Sequence, residues 1–506
     1  MDPGDGDAVS AIVNRDRRAV RAEGGGNMSL LAVARRVIES SLRGGSAAAV
    51  LDGPALLAVG PAQLSELAYA SRQEVDTARL MSMVRMNRQG DARRLADEMR
   101  ASWPDARDRG LAPEIPLARF VALSEAYAAF AETLHALEYA SLAMRLSEEV
   151  PDPRWQLRVL GVGAAANALN GEWAIAEDLL ARRSELAAQR GWSPQDTGYS
   201  EAVAGLLLAF ACTDGQRARS IAVQLRSLAD TEPVAAPLGD LAESVALAMQ
   251  GENAHAIDLA TRTAQGIPLL IGTELVREFA WYLLGYLYLC EREPVRAEGI
   301  VRGKSVLGNH LLCPNVILAV AALQRQDYRE VLAVSSECIR GRARHSRWSL
   351  PLILLVRACA HLRLGNPAAA LREGGAAFVG GGIEHFSAAL RIVPLHDVGP
   401  LLDASDRVFP LLRRQTAIYR VQVSRSALDS KTSPGLPRLT KREQKIAGML
   451  SSRLSFPEIA RRLHVSTGTV KSQASSIYRK LGVVNRGDAV DMLNLAGYYE
   501  GAEAVP

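Results

Sequence analysis

From Ser29 to about Val423, apolar residues recur at spacings of three and four, the pattern of helices that each bury one face. Short clusters of Gly, Asn, Asp and Pro interrupt this pattern and mark turns. The interruptions themselves recur. Gly171-Glu-Trp-Ala-Ile-Ala-Glu177 opens a helix, and similar openings follow at Gly215, Gly251, Arg292, Gln326 and Gly365, with a degenerate copy at Ala131. The intervals are 40, 44, 36, 41, 34 and 39 residues, enough for a turn, a helix, a short loop and a returning helix. Hairpins of this kind stack because none can bury its apolar face alone. A small residue about five positions after each turn predicts close approach of the paired helices. The segment Gly374 to Pro394 departs from the pattern and is expected to form an irregular cap.

Residues 1–28 are polar and Gly-rich and read as a flexible tail. Residues 29–423 form the helical array. Residues 424–437 lack periodicity and read as a linker. Residues 438–499 then return to helical patterning with different mechanics. Thr440 and Glu443 form a capping box before a helix whose apolar face is Ile446, Ala447 and Leu450. Ser455 and Glu458 repeat the box, with Pro457 tolerated in the first turn and Ile459, Ala460 and Leu463 to bury. His464-Val465-Ser466 reads as a tight turn, with Ser466 the N-cap of a third helix. In that helix Val470, Ala474, Ile477 and Leu481 form one stripe, and Lys471, Ser472 and Ser475 lie opposite. Short polar and cationic side chains near a helix start suit the DNA major groove, where they must reach base edges.

These residues carry a resemblance. Leu439-Thr-Lys-Arg-Glu443, Glu458-Ile-Ala460, Ser466-Thr-Gly-Thr-Val-Lys471, Ile477-Tyr-Arg-Lys-Leu-Gly-Val483, Arg486 and Ala489 together resemble the LuxR/GerE-type helix-turn-helix over about 60 residues. The resemblance implies a four-helix DNA-binding module. It implies that Lys471, Ser472 and Ser475 read bases, and that Thr440, Ser466, Thr467, Thr469, Lys480 and Arg486 hold the DNA backbone. Three positions depart from the family: Arg453 stands where Gly is common, Gln473 where His is frequent, and Ser476 where Asn is frequent. Val490 and Leu495 lie off the buried face of the fourth helix and point either to a dimer contact or to packing against the array. The array resembles tetratricopeptide-type repeats, with a longer and looser period. The two together are similar to the C-terminal part of MalT-type large LuxR regulators, without their ATPase domain. The expected fold is therefore all-α: a solenoid of helical hairpins followed by the four-helix module.

Charge sharpens this picture. The net charge is +4, but Leu436–Tyr498 holds eleven Lys or Arg against four acids, so the rest of the chain is net negative. Positive charge concentrated at one end is the electrostatic footprint of polyanion binding. The five cysteines form no C-x-x-C pair, and no histidine stands at metal-ligand spacing from one. A reducing cytoplasm with no structural metal and no cofactor is the expectation. Apolar runs such as Leu311 to Leu323 fall short of the roughly 20 residues that span a bilayer. Gly299-Ile-Val-Arg-Gly-Lys-Ser305 imitates a phosphate loop but has three residues between its glycines instead of four, and it sits late in a hairpin. No nucleophile elbow or paired-carboxylate motif appears, so the chain reads as a regulator and not an enzyme. The expected partners are double-stranded DNA, a second copy of the chain, and a small-molecule or protein effector at the solenoid. The alternative is a scaffold whose solenoid recruits RNA polymerase or another regulator without sensing a metabolite.

Overall fold

A computed structural model describes residues 29–43, 45, 47–86, 88–103, 110–193, 200–229, 235–266, 273–304, 312–342, 345–380, 387–408, 440–452, 454–481 and 486–495. The expected tail, the expected linker, Arg453 and Gly482–Val483 lie outside those residues, as do the side chains of Lys480 and Leu481. Among the described residues every regular element is a helix. None is long and apolar enough to cross a membrane. The chain divides into two compact units, Met1–Ile392 and Val393–Pro506, a division that falls before residue 423.

The first unit is a run of hairpins, preceded by helix Leu30–Leu42. Its paired helices are α1 (Tyr69–Arg85) with α2 (Gln89–Ala101), α3 (Glu114–Ala129) with α4 (Thr133–Ser147), and α5 (Pro153–Asn170) with α6 (Trp173–Arg190). There follow α7 (Ser200–Cys212) with α8 (Gly215–Leu228), α9 (Ala235–Met249) with α10 (Asn253–Gly266), and α11 (Thr273–Cys290) with α12 (Pro294–Val301). The last are α13 (Pro314–Gln324) with α14 (Tyr328–Val334), and α15 (Leu350–Arg363) with α16 (Pro367–Gly380).

One turn mechanism serves seven of these hairpins. A residue with positive φ ends the first helix: Ala131, Gly171, Thr213, Gly251, Arg292, Gln326 or Gly365. The next amide then reaches back to a carbonyl five residues earlier, as Glu132 does to Tyr127 (2.8 Å), Asp214 to Ala209 (2.8 Å) and Asp327 to Ala322 (3.0 Å). This closure satisfies carbonyls the helix end would otherwise leave open. The residue after the turn is acidic in six of the seven (Glu132, Glu172, Asp214, Glu252, Glu293, Asp327) and is Asn366 in the last, which suits a helix N-terminus.

Five positions beyond each turn stand Ala136, Ala176, Ala218, Ala256, Ala297, Val331 and Ala370, every one fully buried. The expected small residue is therefore in register throughout. One turn is displaced from the expected place: it lies at Thr213, and Gly215 begins α8 instead. A Cβ on Gly215 would stand 3.0 Å from the Cβ of Met249, so that glycine serves the approach of α9. In two hairpins a serine of the first helix fastens the contact, Ser124 Oγ donating to the Ala136 carbonyl and Ser244 Oγ to that of Ala256, both at 2.8 Å.

The expected irregular cap is partly regular, since Gly374 and Gly375 lie inside α16. Short helix Ala389–Ile392 folds back on earlier repeats, its Ile392 carbonyl accepting from Gln324 (2.7 Å) and Arg292 (3.1 Å). A second return is longer. After α14 and helix Ser336–Arg340, the segment 345–349 reaches the α5–α6 turn. There the Arg347 amide donates to the Asn170 carbonyl (3.2 Å) and its guanidinium pairs with Glu172 (3.0 Å). Trp348 packs edge-on against Trp173 and stacks on Phe210. Gly171 permits this crossing, because a Cβ there would stand 2.9 Å from the backbone of Arg347 and Trp348.

Candidate nucleic-acid interface

Within the second unit four helices build the basic module: α17 (Lys441–Leu450), α18 (Phe456–Arg462), α19 (Thr467–Leu481) and α20 (Arg486–Leu495). Their core is Ile446, Ala447, Leu450, Ile459, Ala460, Val470, Ile477, Ala489 and Leu493. Leu463, Tyr478 and Val490 pack on it in part, so the module's own core takes up some of the surface of Val490. Burial raises the pKa of Tyr478, and nearby Arg486 opposes that rise.

Both expected capping boxes form. The Thr440 hydroxyl accepts from the Glu443 amide (3.3 Å), and the Thr440 amide donates to Glu443 Oε2 (2.6 Å). At α18 the Glu458 carboxylate accepts from the Ser455 amide (2.7 Å) and hydroxyl (2.6 Å), and these bonds hold its pKa below the usual carboxylate range. The turn between α18 and α19 repeats the closure of the repeat hairpins: His464 has positive φ, and the Val465 amide donates to the Ala460 carbonyl (3.0 Å). Ser466 Oγ then accepts from the Thr469 amide (3.0 Å) and meets the Thr469 hydroxyl at 2.8 Å.

Helix α19 is thereby sharply two-faced. Val470, Ala474 and Ile477 are buried, while Thr469, Lys471, Ser472 and Ser475 are exposed and Thr467 and Gln473 are half-buried. The expected base-reading residues Lys471, Ser472 and Ser475 thus share one open face. Thr467, Thr469 and Ser466 surround its N-terminal end.

Two contacts were not legible in the sequence. Glu443 is buried, and its second oxygen accepts from Ser476 Oγ at 2.9 Å, which ties the start of α17 to the middle of α19. Arg486, expected to hold the DNA backbone, is engaged within the module. Its guanidinium donates to the carbonyls of Leu450 (2.9 Å), Leu454 (2.5 Å), Ser452 (2.7 Å) and Met449 (3.4 Å), so it caps the C-terminal end of α17 and the loop after it. The Met449 carbonyl also accepts from the Ser452 amide (3.2 Å) and hydroxyl (2.6 Å), and a cation adds to the satisfaction of carbonyls at a helix end. Phe456 lies beside the same guanidinium, 5.7 Å from ring centroid to carbon.

Residues 437–493 match the family model described as bacterial regulatory proteins, luxR family. The C-terminal module is a luxR-type helix-turn-helix. A putative HTH-type transcriptional regulator, YhjB of Escherichia coli K12, is 46% identical over 61 residues, covering 12% of this chain and 30% of that protein. Response regulator RamR of Streptomyces coelicolor is 33% identical over 105 residues, 20% of this chain and 52% of that one. The HTH-type transcriptional regulator MalT of Yersinia enterocolitica is 39% identical over 72 residues, 13% of this chain and 8% of that one. The chain therefore spans about half or less of the length of these relatives. Among solved structures, a Rap protein complexed with competence and sporulation factor aligns with 72% of this chain and 98% of its own at 11% identity and a TM-score of 0.47.

The repeat unit holds a separate candidate. A cavity of about 150 Å3 opens among the first helices of successive hairpins, lined by residues including Val162, Leu206, Leu238, Val276 and Phe279. Glu125 and Arg85 stand at its polar edge, 3.6 Å apart, and Arg158 also pairs with Glu125. In the imitation phosphate loop the Lys304 amide donates to the Val301 carbonyl (3.1 Å). Lys304 follows the end of α12, is exposed, and lies over the Trp281 ring at 4.0 Å.

Proposed function

We propose that this chain is a one-component transcription regulator that binds operator DNA through α19 and receives its signal in the helical repeats. The observation that carries the reading is the two-faced α19. One side is locked into a complete core, and the other presents Lys471, Ser472 and Ser475 with no apolar side chain among them. In a major groove Lys471 reaches guanine acceptors, and the serines allow close approach of the helix. Ser466, Thr467 and Thr469 lie beside a helix N-terminus, where free amides and the helix dipole favour phosphate. Thr440 and Lys480 complete the backbone contacts, and Arg486 acts by holding the module's frame instead.

The matched relatives, whose names describe transcriptional and response regulators, support a regulatory role and not an enzymatic one. The apolar cavity in the repeats supports a small-molecule effector with an apolar body, and a homodimer fits the short contact surface of a single module. Binding-site selection from random DNA with the full chain tests the reading. We expect one enriched motif, and Lys471→Ala to lower the operator-to-random affinity ratio by about 1–3 kcal/mol. Absence of any enriched motif would overturn it, as would an unchanged ratio for the base-reading role of Lys471.

A further inference from the structure

The fold brings together three side chains from separate segments of the chain. Cys313 precedes α13, Cys338 lies in helix Ser336–Arg340, and His345 begins the segment that returns to the α5–α6 turn. The two sulfurs are fully buried and 3.7 Å apart. One donor atom from each of the three residues lies within 4.8 Å of the others. We propose that Cys313, Cys338 and His345 form a binding site for a thiophilic divalent cation of the zinc class.

The geometry fits that ion. Two Zn–S bonds of about 2.3 Å opening at a tetrahedral angle separate their sulfurs by about 3.8 Å. The charge fits as well: two thiolates and a dication sum to zero, which a buried site requires. A monovalent soft cation would leave a net negative charge there. The surroundings are those of a thiolate site. Asn315 Nδ2 donates to Cys338 Sγ at 3.4 Å, and Cys313 is the N-cap of α13, where the helix dipole favours an anionic sulfur. His345 Nδ1 faces the Gly341 carbonyl at 3.4 Å, and a proton held there directs the Nε2 lone pair to the metal. Three protein donors leave a fourth position for water or an outside ligand.

The site also has a mechanical consequence. Three residues beyond His345, Trp348 sits between Trp173 and Phe210, and Arg347 is fastened to the α5–α6 turn. A cation bound to His345 therefore pins the root of this crossing segment to α13. Leu312, which lines the apolar cavity, is the neighbour of Cys313. The proposal does not depend on the DNA-binding reading.

Binding replaces two S–H bonds by two metal–sulfur bonds and releases two protons for each ion. The test titrates the full chain, purified in reductant and stripped with chelator, with cobalt(II). We expect one equivalent to give thiolate-to-metal charge transfer and the strong visible bands of tetrahedral coordination. Zinc should displace it, and a pH indicator should report two protons released. Cys313→Ser and Cys338→Ser should abolish the charge-transfer band, while Cys359→Ser leaves it intact. His345→Gln keeps both thiols and should weaken zinc at least as much as the roughly tenfold cost of losing an outer-shell partner. It carries the test should a serine variant lose its helical circular dichroism. Absence of cobalt bands in the wild-type chain overturns the proposal. So do bands that survive in both serine variants, or zinc affinity unchanged in His345→Gln.

Discussion

Arg486 and Lys471 are both cations of the basic module, and the geometry sets them in opposite surroundings. Four hydrogen bonds hold the Arg486 guanidinium against the carbonyls that end α17. Lys471 stands exposed on the open face of α19. Hydrogen bonds to a charged group contribute about 1.5–3 kcal/mol, and removing the donor takes a partner from each of these carbonyls. Arg486→Ala should therefore lower the melting temperature of the module by several degrees. At a temperature where the variant is folded, the salt dependence of its DNA binding should match the wild type. If the slope of log affinity against log salt falls by about one, Arg486 contacts phosphate after all. Lys471→Ala should leave the melt alone. Its position was legible from the stripe of Val470 and Ile477, whereas the job of Arg486 was not. Sequence pattern shows which face a residue occupies, but not which backbone groups its long side chain can reach.

At the scale of elements, the legible part was the part that repeats. Turn residues and the buried small position recur in seven hairpins, and both capping boxes of the module form where Thr440/Glu443 and Ser455/Glu458 predict them. What escaped was contact between elements distant in the chain: Glu443 with Ser476, the return of Trp348 to Trp173, and the meeting of Cys313, Cys338 and His345. Periodicity records local burial and carries no information on which hairpin a loop will cross. The expected turn at Gly215 failed for a related reason. Gly signals both positive φ and close packing, and here it serves packing while Thr213 makes the turn. The small position yields a clear test. Ala256 is fully buried with its carbonyl held by Ser244, so Ala256→Leu should cost about 1–3 kcal/mol by overpacking, read as a lower denaturation midpoint. The same change at exposed Ala254 should cost little. The α18 box yields a second. The folded-state pKa of Glu458 is depressed, so its contribution is complete above the ordinary carboxylate range and fades as pH falls through the depressed value. Glu458→Gln keeps an acceptor for the Ser455 amide and should flatten that portion of the acid-side loss of stability. A variant whose melt follows the wild type at every pH would show that the box contributes nothing.

For the whole molecule the governing fact is that Met1–Ile392 and Val393–Pro506 are separate compact units. The basic module has its own core, in which Val470 and Ile477 of α19 meet Ile446 of α17, Ile459 of α18 and Leu493 of α20. The repeats are built differently, because each hairpin is completed by its neighbours, and the α5–α6 hairpin also by the crossing segment from residue 345 to 349. Unfolding should accordingly occur in two transitions, which calorimetry of the full chain resolves. Arg486→Ala should move one and Ala256→Leu the other, since mutations at distant sites that share no partners act independently. Zinc supplies a third and sharper discriminator. A ligand bound only by the native state raises the stability of the unit that binds it. Added zinc should therefore raise the transition that Ala256→Leu lowers and leave the one that Arg486→Ala lowers in place. If zinc moves both, the two units unfold as one, and a signal in the repeats has a direct energetic route to the DNA-binding helices. If it moves only the first, transmission must rest on how the two units meet on DNA.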